Sequence, residues 1–281
     1  MNKKQRILTE WGLCAIVAML CFILLSLSIP KAGTEFNNKN FLIEKRVEVF
    51  DFVAIGDSLT QGVGDSTNQG GFVPILADQL DATYGYRVES ANYGVSGNTS
   101  SQIIKRIEEQ KKIQNSIKNA EIITLTVGGN DVMKVIRENF DDLSENSFKK
   151  PLKAYQKRLV TLIELIRKYN KNAPIYVLGI YNPFYLNFPE ITTMQDVIDN
   201  WNQETETTVT ENKAYFVPIN DVLYKGINGD EGVTSQGESD NNASITNDAL
   251  FEEDHFHPNN TGYQIMANAI MSKIKQTKDE W

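Results

Sequence analysis

Serine, histidine and aspartate side chains stand in this sequence at positions that could perform nucleophilic catalysis. Ser58 follows an apolar run in the tripeptide Gly-Asp-Ser, and Asp254 precedes His257 by three residues near the carboxyl end. A serine hydroxyl becomes a good nucleophile when a base removes its proton, and the chain has two histidines, His255 and His257, that could be this base. An aspartate three residues before His257 can reach back to its ring and hold one tautomer. This spacing predicts that Asp254 pairs with His257, and Ser58 is a candidate for the nucleophile that such a pair could activate.

A scaffold that brings these distant segments together is indicated by the hydropathy pattern. Short apolar runs alternate with longer segments of helical periodicity, which is typical of a parallel sheet with helices on both faces. The predicted strands are Val47–Ile55, Arg87–Ala91, Glu121–Val127, Ile175–Ile180 and Tyr215–Ile219, and the predicted helices cover residues 71–84, 99–118, 150–170, 194–212 and 259–276. One α/β domain, residues 47–281, accounts for this pattern.

Polar segments follow the first three predicted strands, at the edge where open parallel sheets bind their ligands. Gly-Asp-Ser follows the first strand, a segment with Gly97 follows the second, and Gly-Gly-Asn-Asp with Asn130 follows the third. The fourth segment, Asp-His-Phe-His-Pro, directly precedes the last helix. Each alone is weak evidence, since Gly-Asp-Ser is usually a turn and Gly-Gly-Asn-Asp is usually a loop with a helix cap. Four such segments in this order predict one common site.

Together the four segments resemble those of the SGNH (GDSL-type) esterases and lipases, over about residues 48–275. The resemblance implies that Ser58 is the nucleophile, that Asp254 and His257 complete the triad, and that Gly97 and Asn130 complete the oxyanion hole. It also implies a flavodoxin-like three-layer α/β/α sandwich with a five-stranded parallel sheet, and a reaction without a metal or an organic cofactor. Backbone N–H groups of Ser58 and Gly97 and the amide of Asn130 are suitable donors to the charge that develops on an attacked carbonyl.

Structural interpretations stay open for the same residues. Ser58 could be a turn serine, Gly97 could be a glycine that a tight turn requires, and Asn130 could cap a helix with Asp131. Asp57 is predicted to organise its loop rather than to react, because Ser58 follows it directly. The sequence by itself does not choose between these roles, and several of them are compatible.

The two histidines allow two further interpretations. His255 could replace His257 as the base, although its spacing from Asp254 does not fit the motif. Asp254, His255 and His257 could also hold a metal ion, but the chain offers no further histidine or suitable thiolate as a ligand. The segment around Ser58 is not the nucleophile elbow of α/β-hydrolases, since Thr60 stands where that motif requires glycine.

The amino-terminal residues 1–31 predict a membrane anchor. Basic residues precede an apolar run of 19 uncharged residues, Trp11 to Ile29, which is about the length that crosses a bilayer core. Basic residues favour the cytoplasmic side, so the domain is expected outside the cytoplasm on a single-pass anchor. Residues 32–46 are polar and predict a tether. A cleaved signal peptide, which would release a secreted protein, is the alternative, although the apolar run is long for one.

Composition excludes several classes of protein. The 281 residues include 28 basic and 36 acidic ones, a net charge of −8, which argues against binding nucleic acid through a basic surface. With 41% hydrophobic and 23% charged residues the chain is expected to fold rather than to be disordered. The two cysteines, Cys14 and Cys21, lie in the apolar run, so no disulfide scaffold is expected. The expected partners are an ester substrate and the membrane, and the oligomeric state stays open.

Two further segments bear on specificity. Aromatic side chains follow the fourth strand and could line an acyl pocket or pack a loop over the sheet: Tyr181, Phe184, Tyr185 and Phe188. Residues 228–247 are polar and contain glycine, which predicts a flexible loop that could act as a lid or be disordered.

These observations predict an extracytoplasmic, membrane-tethered serine hydrolase that cleaves lipid or small acyl esters through an acyl-enzyme on Ser58. A carbohydrate or cell-wall O-acetyl esterase is the alternative enzyme. A catalytically inactive module that binds a lipid or glycan is a third interpretation, but it would have no chemical need for the complete set of reactive residues.

Overall fold

The structure is a computed structural model, which describes residues 19–20, 49–139, 143–183, 192–224, 233–234, 245–246 and 249–281. The predicted anchor (all but two of its residues), the tether, Phe184, Tyr185, Phe188 and most of the 228–247 segment lie outside the described residues. None of the helices within the described ranges combines the length and the apolar character that crossing a bilayer requires. Residues Glu48–Trp281 form one compact unit.

A parallel sheet with the strand order β2-β1-β3-β4-β5 lies at the centre of this unit. Its strands are β1 (Val49–Gly56), β2 (Arg87–Gly94), β3 (Ile122–Thr126), β4 (Ile175–Leu178) and β5 (Tyr215–Val217). The central strands β3 and β4 are buried along their whole length, as their continuous apolar runs require. The predicted five-stranded parallel sheet is confirmed. A separate antiparallel pair consists of β6 (Val233–Thr234) and β7 (Ile245–Thr246).

Helices pack on both faces of the sheet because the side chains of its strands alternate between two apolar clusters. On β1, Val53 and Ile55 belong to one cluster, and Phe52 and Ala54 belong to the other. The helices are α1 (Ser58–Gln61), α2 (Phe72–Tyr84), α3 (Ser100–Glu109), α4 (Lys111–Asn119), α5 (Gly129–Glu138), α6 (Glu145–Tyr169), α7 (Thr192–Glu211), α8 (Asn220–Tyr224) and α9 (Asn260–Thr277). Residues of α3 to α7 line the first cluster, and residues of α2 and α9 line the second.

The single helix predicted for residues 99–118 is wrong, because the chain breaks there into α3 and α4. Gln110 between them has an extended backbone, with φ −105° and ψ 103°. Gln114 stabilises the break, since its Nε2 donates to the carbonyls of Ile107 and Glu108 at the end of α3, both at 2.8 Å. The six-residue spacing from Ile107 to Ile113 departs from helical periodicity and marks the break in the sequence. The helices α1, α5 and α8 were not predicted.

The loop between α1 and α2 is organised by one carboxylate, that of Asp65. Its oxygens accept hydrogen bonds from the backbone N–H groups of Thr67, Gln69, Gly70 and Gly71 at 2.8 to 3.1 Å, and from the hydroxyl of Thr67. Gly71 is the N-cap of α2, so the carboxylate binds donors at the start of that helix. Burial alone would raise the pKa of Asp65, but these hydrogen bonds outweigh it and hold the pKa below the ordinary value of 3.8.

Replacing Asp65 by asparagine is expected to lower the free energy of unfolding at pH 7 by about 2 kcal/mol, because charge-assisted hydrogen bonds are lost. The lowered pKa means that this stabilisation is complete above the ordinary value of 3.8 and is lost as the pH falls through the folded-state value. Urea unfolding at pH 7, 5 and 3.5 measures the difference. Asp78→Asn on the exposed side of α2 is the control and should leave stability within about 0.5 kcal/mol. Equal stabilities of Asp65→Asn and wild type at pH 7 would contradict the role given to Asp65.

Candidate active site

Ser58 lies where β1 passes into α1, beside the carboxyl end of β3. Asp57 is the N-cap of α1, and its Oδ1 accepts the backbone N–H of Leu59 at 3.1 Å. Thr126 at the end of β3 donates its hydroxyl to the same Oδ1 at 2.8 Å and accepts the Asp57 N–H at 3.2 Å. A Cβ at position 56 would lie 2.1 Å from Thr126 Oγ1, so only glycine permits this approach of the two strand ends. The turn that carries Ser58 is thus bound to β3.

Asp57 is a buried carboxylate, with 3% of its surface exposed. Its burial raises the pKa, while the hydrogen bonds from Thr126 and Leu59 and the nearby charge of His257 oppose the rise. Thr60 extends the network, because its hydroxyl lies 2.8 Å from that of Thr126. Asp57 therefore organises the turn, and its carboxylate is bound on the inner side, away from solvent.

His257 and Asp254 form a direct contact, with 2.6 Å between His257 Nδ1 and Asp254 Oδ2. The other carboxylate oxygen of Asp254 accepts the backbone N–H groups of Phe256 and His257, both at 2.9 Å. Burial would raise the pKa of Asp254, but these hydrogen bonds and the imidazole outweigh it and lower the pKa below its ordinary value. The carboxylate stays ionised and holds Nδ1, so Nε2 is the ring nitrogen that can exchange a proton with another group.

The segment that carries His257 packs against the loop that follows Ser58. A Cβ at Gly64 would lie 2.4 Å from the carbonyl oxygen of Pro258 and 3.4 Å from the Cβ of His257. The hydroxyl of Tyr181 donates to the carbonyl of Phe256, which fixes the segment from the side of β4. The structure thus brings the carboxyl-terminal histidine to the same edge of the sheet as Ser58.

A cavity of about 40 Å³ opens beside Ser58. Its walls include Asn130 and the apolar side chains of Ile180, Tyr181 and Phe256. Tyr181, a predicted pocket residue, lines the cavity, and its hydroxyl donates to the backbone carbonyl of Phe256. Sequence reasoning missed Ile180 and Phe256. Their signal was available, since Ile180 comes two residues after the end of β4 and Phe256 stands between the two histidines.

Gly97 lies in a tight turn, in which the N–H of Asn98 donates to the carbonyl of Val95 at 3.2 Å. Its φ is +78°, a conformation that favours glycine. A Cβ at position 97 would meet no atom within 4 Å, so the backbone conformation and not a lack of space requires glycine here. Gln61 on α1 accepts the N–H of Ser96 at 2.6 Å and so ties this turn to the Ser58 helix.

Asn130 is the second residue of α5, and its Nδ2 donates to the backbone carbonyl of Asn98 at 3.1 Å. The segments that contain Gly97 and Asn130 are therefore in direct contact. Asp131 reinforces the contact, since it accepts the N–H of Ser100 at 2.9 Å and the hydroxyl of the same residue at 2.7 Å.

Arg158 on α6 completes this second network, with Nε 2.6 Å from Ser100 Oγ and Nη2 3.0 Å from Asp131 Oδ1. Sequence reasoning missed Arg158. No local signal identifies it, because an arginine on an amphipathic helix ordinarily faces solvent.

The hydrogen bonds described for Asp254 involve Phe256 and His257 and not His255. The side chain of His255 is exposed, and its backbone has a φ of +50°. The carboxylate binds the ring of His257 instead. Among the described residues, no group of three or more His, Cys, Asp and Glu side chains is arranged to hold a metal ion.

Comparison with protein families matches residues 54–265 to the GDSL-like lipase/acylhydrolase family. The uncharacterized protein YpmR of Bacillus subtilis is 31% identical over 264 residues, which cover 93% of this chain and 95% of YpmR. Both matches include the segments of Ser58, Gly97 and Asn130.

Two solved structures share the fold at lower identity. The lipase Lip_vut3 from a goat rumen metagenome has a TM-score of 0.65 and 22% identity, and the match covers 80% of this chain and 97% of the lipase. The acetylxylan esterase Axe2 of Geobacillus stearothermophilus has a TM-score of 0.56 and 19% identity, with 81% and 95% of the two chains covered. At such identities these likenesses concern the fold.

The Thr126 hydroxyl can be tested by comparing Thr126→Val with Thr124→Val on the same strand. Both threonines are buried, but the Thr124 hydroxyl is a buried group without a hydrogen-bond partner among the described residues. Thr126→Val should lower the free energy of unfolding by about 2 kcal/mol, because it removes the hydroxyl that donates to the buried Asp57 carboxylate and accepts the Asp57 N–H. Thr124→Val should be neutral or stabilising, since it removes an unsatisfied polar atom. Chemical denaturation measures the free energy of unfolding of both variants. Equal losses in the two variants would show that the hydrogen bonds between Thr126 and Asp57 do not stabilise the fold.

Proposed function

Because the chain belongs to the GDSL-like lipase/acylhydrolase family and is a carboxylic ester hydrolase, we propose that Ser58 is its nucleophile and that His257, held by Asp254, is its base. The observation that carries this proposal is the 2.6 Å contact between Asp254 and His257, in a segment that packs against the loop following Ser58. This contact occupies Nδ1 of His257 and leaves Nε2 to accept the proton of Ser58.

In the proposed reaction, the hydroxyl of Ser58 attacks the ester carbonyl while its proton passes to His257 Nε2. The tetrahedral intermediate collapses, the protonated His257 gives its proton to the leaving alcohol, and an acyl-enzyme remains on Ser58. Water then attacks the acyl carbon with His257 as base, and the acid is released as the serine hydroxyl re-forms. Asp254, ionised at its lowered pKa, stabilises the imidazolium in both halves of the reaction.

The oxyanion is proposed to bind the N–H groups of Ser58 and Gly97 and the side-chain amide of Asn130. Ser58 is the first residue of α1, where backbone N–H groups have no partner within the helix. The amide nitrogen of Asn130 carries two hydrogens, and one of them is bound to the Asn98 carbonyl, so the other is left for the substrate. Fixed donors of this kind stabilise developing charge better than water does.

The acyl group is proposed to lie against Ile180, Tyr181 and Phe256. The cavity that the described residues form there is small, about 40 Å³, and mostly apolar, which suits a short acyl chain. This size favours the second candidate, an O-acetyl esterase of carbohydrates, over a lipase. The similar structures do not decide between them, since one is a lipase and the other an acetylxylan esterase.

We also propose that the domain lies outside the cytoplasm on an anchor formed by residues 1–31. The support is the uncharged apolar run from Trp11 to Ile29 after three basic residues.

Replacing Ser58 by alanine is expected to abolish turnover of 4-nitrophenyl acetate and labelling by a fluorophosphonate, with the melting temperature little changed. His257→Asn should reduce turnover by about a thousandfold or more, since the base is lost. His255→Asn is the matched control and should keep activity within about threefold, because the exposed ring does not contact Asp254. Turnover by Ser58→Ala, or a greater loss in His255→Asn than in His257→Asn, would refute the assignment.

A panel of 4-nitrophenyl esters from acetate to palmitate tests the acyl pocket. The cavity predicts the highest kcat/KM for two to four carbons, with a fall for longer chains, and Phe256→Ala should shift the optimum to longer chains because it removes a wall of the cavity. An optimum at palmitate in the wild type would contradict the short acyl pocket and favour the lipase.

A further inference from the structure

Arg106 on α3 binds three carbonyl oxygens around the site, none of them on its own helix. Its Nη2 donates to the backbone carbonyl of Gly56 at 2.8 Å, and its Nη1 donates to that of Tyr93 at 3.1 Å. Its Nε donates to the side-chain Oδ1 of Asn98 at 2.7 Å. One guanidinium group therefore connects the end of β1, the end of β2 and the turn that contains Gly97.

These three acceptors stand next to the groups proposed to act on the substrate. Gly56 is two residues before Ser58, and Asn98 directly follows Gly97. The backbone carbonyl of Asn98 also accepts the Asn130 amide at 3.1 Å. A displacement of Asn98 would therefore move the Gly97 N–H directly and the Asn130 amide through its hydrogen bond.

The surroundings of Arg106 suit a fixed guanidinium rather than a mobile surface charge. The side chain is half-buried, which lowers its pKa, and the nearby charge of Asp57 opposes that shift. The planar fork of an arginine can meet several acceptors at once, whereas a lysine ammonium is a point charge on a flexible stem. The nearby carboxylate of Asp57 thus favours the charged form of Arg106, and Nε, Nη1 and Nη2 each have a hydrogen-bond acceptor.

We propose that Arg106 is a positioning residue that sets the distance between Ser58 and the two other oxyanion donors, Gly97 and Asn130. The inference rests on the proposed function of those residues, and Arg106 itself does not touch the substrate. Oxyanion donors act on the transition state, so their displacement lowers kcat and leaves KM nearly unchanged. Loss of one such donor reduces kcat by about a hundredfold or more, so a displaced donor should cost about tenfold to a hundredfold.

Arg167 on α6 provides a matched control for the effect of removing a partly buried guanidinium. It too is half-buried, with a pKa lowered by burial, and donates to two backbone carbonyls, of Ala173 and Lys213. Ala173 precedes β4 and Lys213 precedes β5, so these contacts lie at the amino ends of the strands, opposite the site. Arg167→Gln should lower the melting temperature about as much as Arg106→Gln does, and leave the active site intact.

The experiment measures kcat and KM on 4-nitrophenyl acetate, the rate of fluorophosphonate labelling, and the melting temperature of the full-length protein. For Arg106→Gln and Arg106→Lys we expect kcat to fall about tenfold to a hundredfold with KM within threefold, and labelling to slow in parallel. For Arg167→Gln we expect kcat within twofold of the wild type. Lysine should recover stability better than it recovers kcat, because it cannot bind the three acceptors together.

Two results would overturn the inference: kcat within twofold of the wild type in both Arg106 variants, or an equal fall of kcat in Arg167→Gln. If neither Arg106 variant folds, Asn98→Ala removes the acceptor of the Nε bond while the backbone carbonyl remains, and it should lower kcat about tenfold. An unchanged kcat in Asn98→Ala would then refute the role. Ser58→Ala in the same assay separates the two proposals. Turnover by Ser58→Ala would refute the proposed function. If Ser58→Ala is inactive and the Arg106 variants keep the wild-type kcat, only the positioning role of Arg106 is refuted.

Discussion

The geometry of the site depends on a hydrogen bond between the ends of the neighbouring strands β1 and β3, which the hydroxyl of Thr126 donates to the carboxylate of Asp57. This contact holds the turn before Ser58 against β3 at a place where a side chain on residue 56 would separate them. In the strand order β2-β1-β3-β4-β5, β1 and β3 are also the pair at which the direction of winding changes. The connections after β1 and β3 leave the sheet on different sides there, and a crevice opens between them. Ser58 stands at one side of this crevice and Asn130 at the other.

The groups proposed to bind the oxyanion come from three separate turns, so their relative positions depend on contacts between those turns. Two arginines make such contacts. Arg158 joins the start of α3 to the start of α5 through Ser100 and Asp131, and Arg106 joins the turn of Gly97 to the end of β1. Placing charged side chains at half-buried positions is unfavourable unless the donors find acceptors. Here the acceptors are two backbone carbonyls, a side-chain amide oxygen, a hydroxyl and the buried carboxylate of Asp131.

The histidine side of the site is built differently, from contacts close in sequence. Asp254 binds the ring and the backbone N–H of His257 within one turn, so this pair depends only on residues close in the sequence. Packing then decides where the pair stands, through the contact of Gly64 with Pro258 and the hydrogen bond from Tyr181 to Phe256. The Asp254–His257 pair thus depends on local contacts, and tertiary contacts place it at the edge of the sheet where Ser58 lies.

Sequence by itself determined the elements whose cause is local. The apolar runs of β1, β3 and β4 predict buried parallel strands, and the spacing of Asp254 and His257 predicts their pairing, because both depend on neighbouring residues. Tertiary structure alone decided the roles of Thr126, Arg106 and Arg158, whose partners lie 69, 50 and 27 residues away. A threonine in a strand or an arginine on a helix looks the same in a sequence whether it binds water or the carbonyls of a distant turn. The difference arises only when the folded sheet brings those partners within 3 Å.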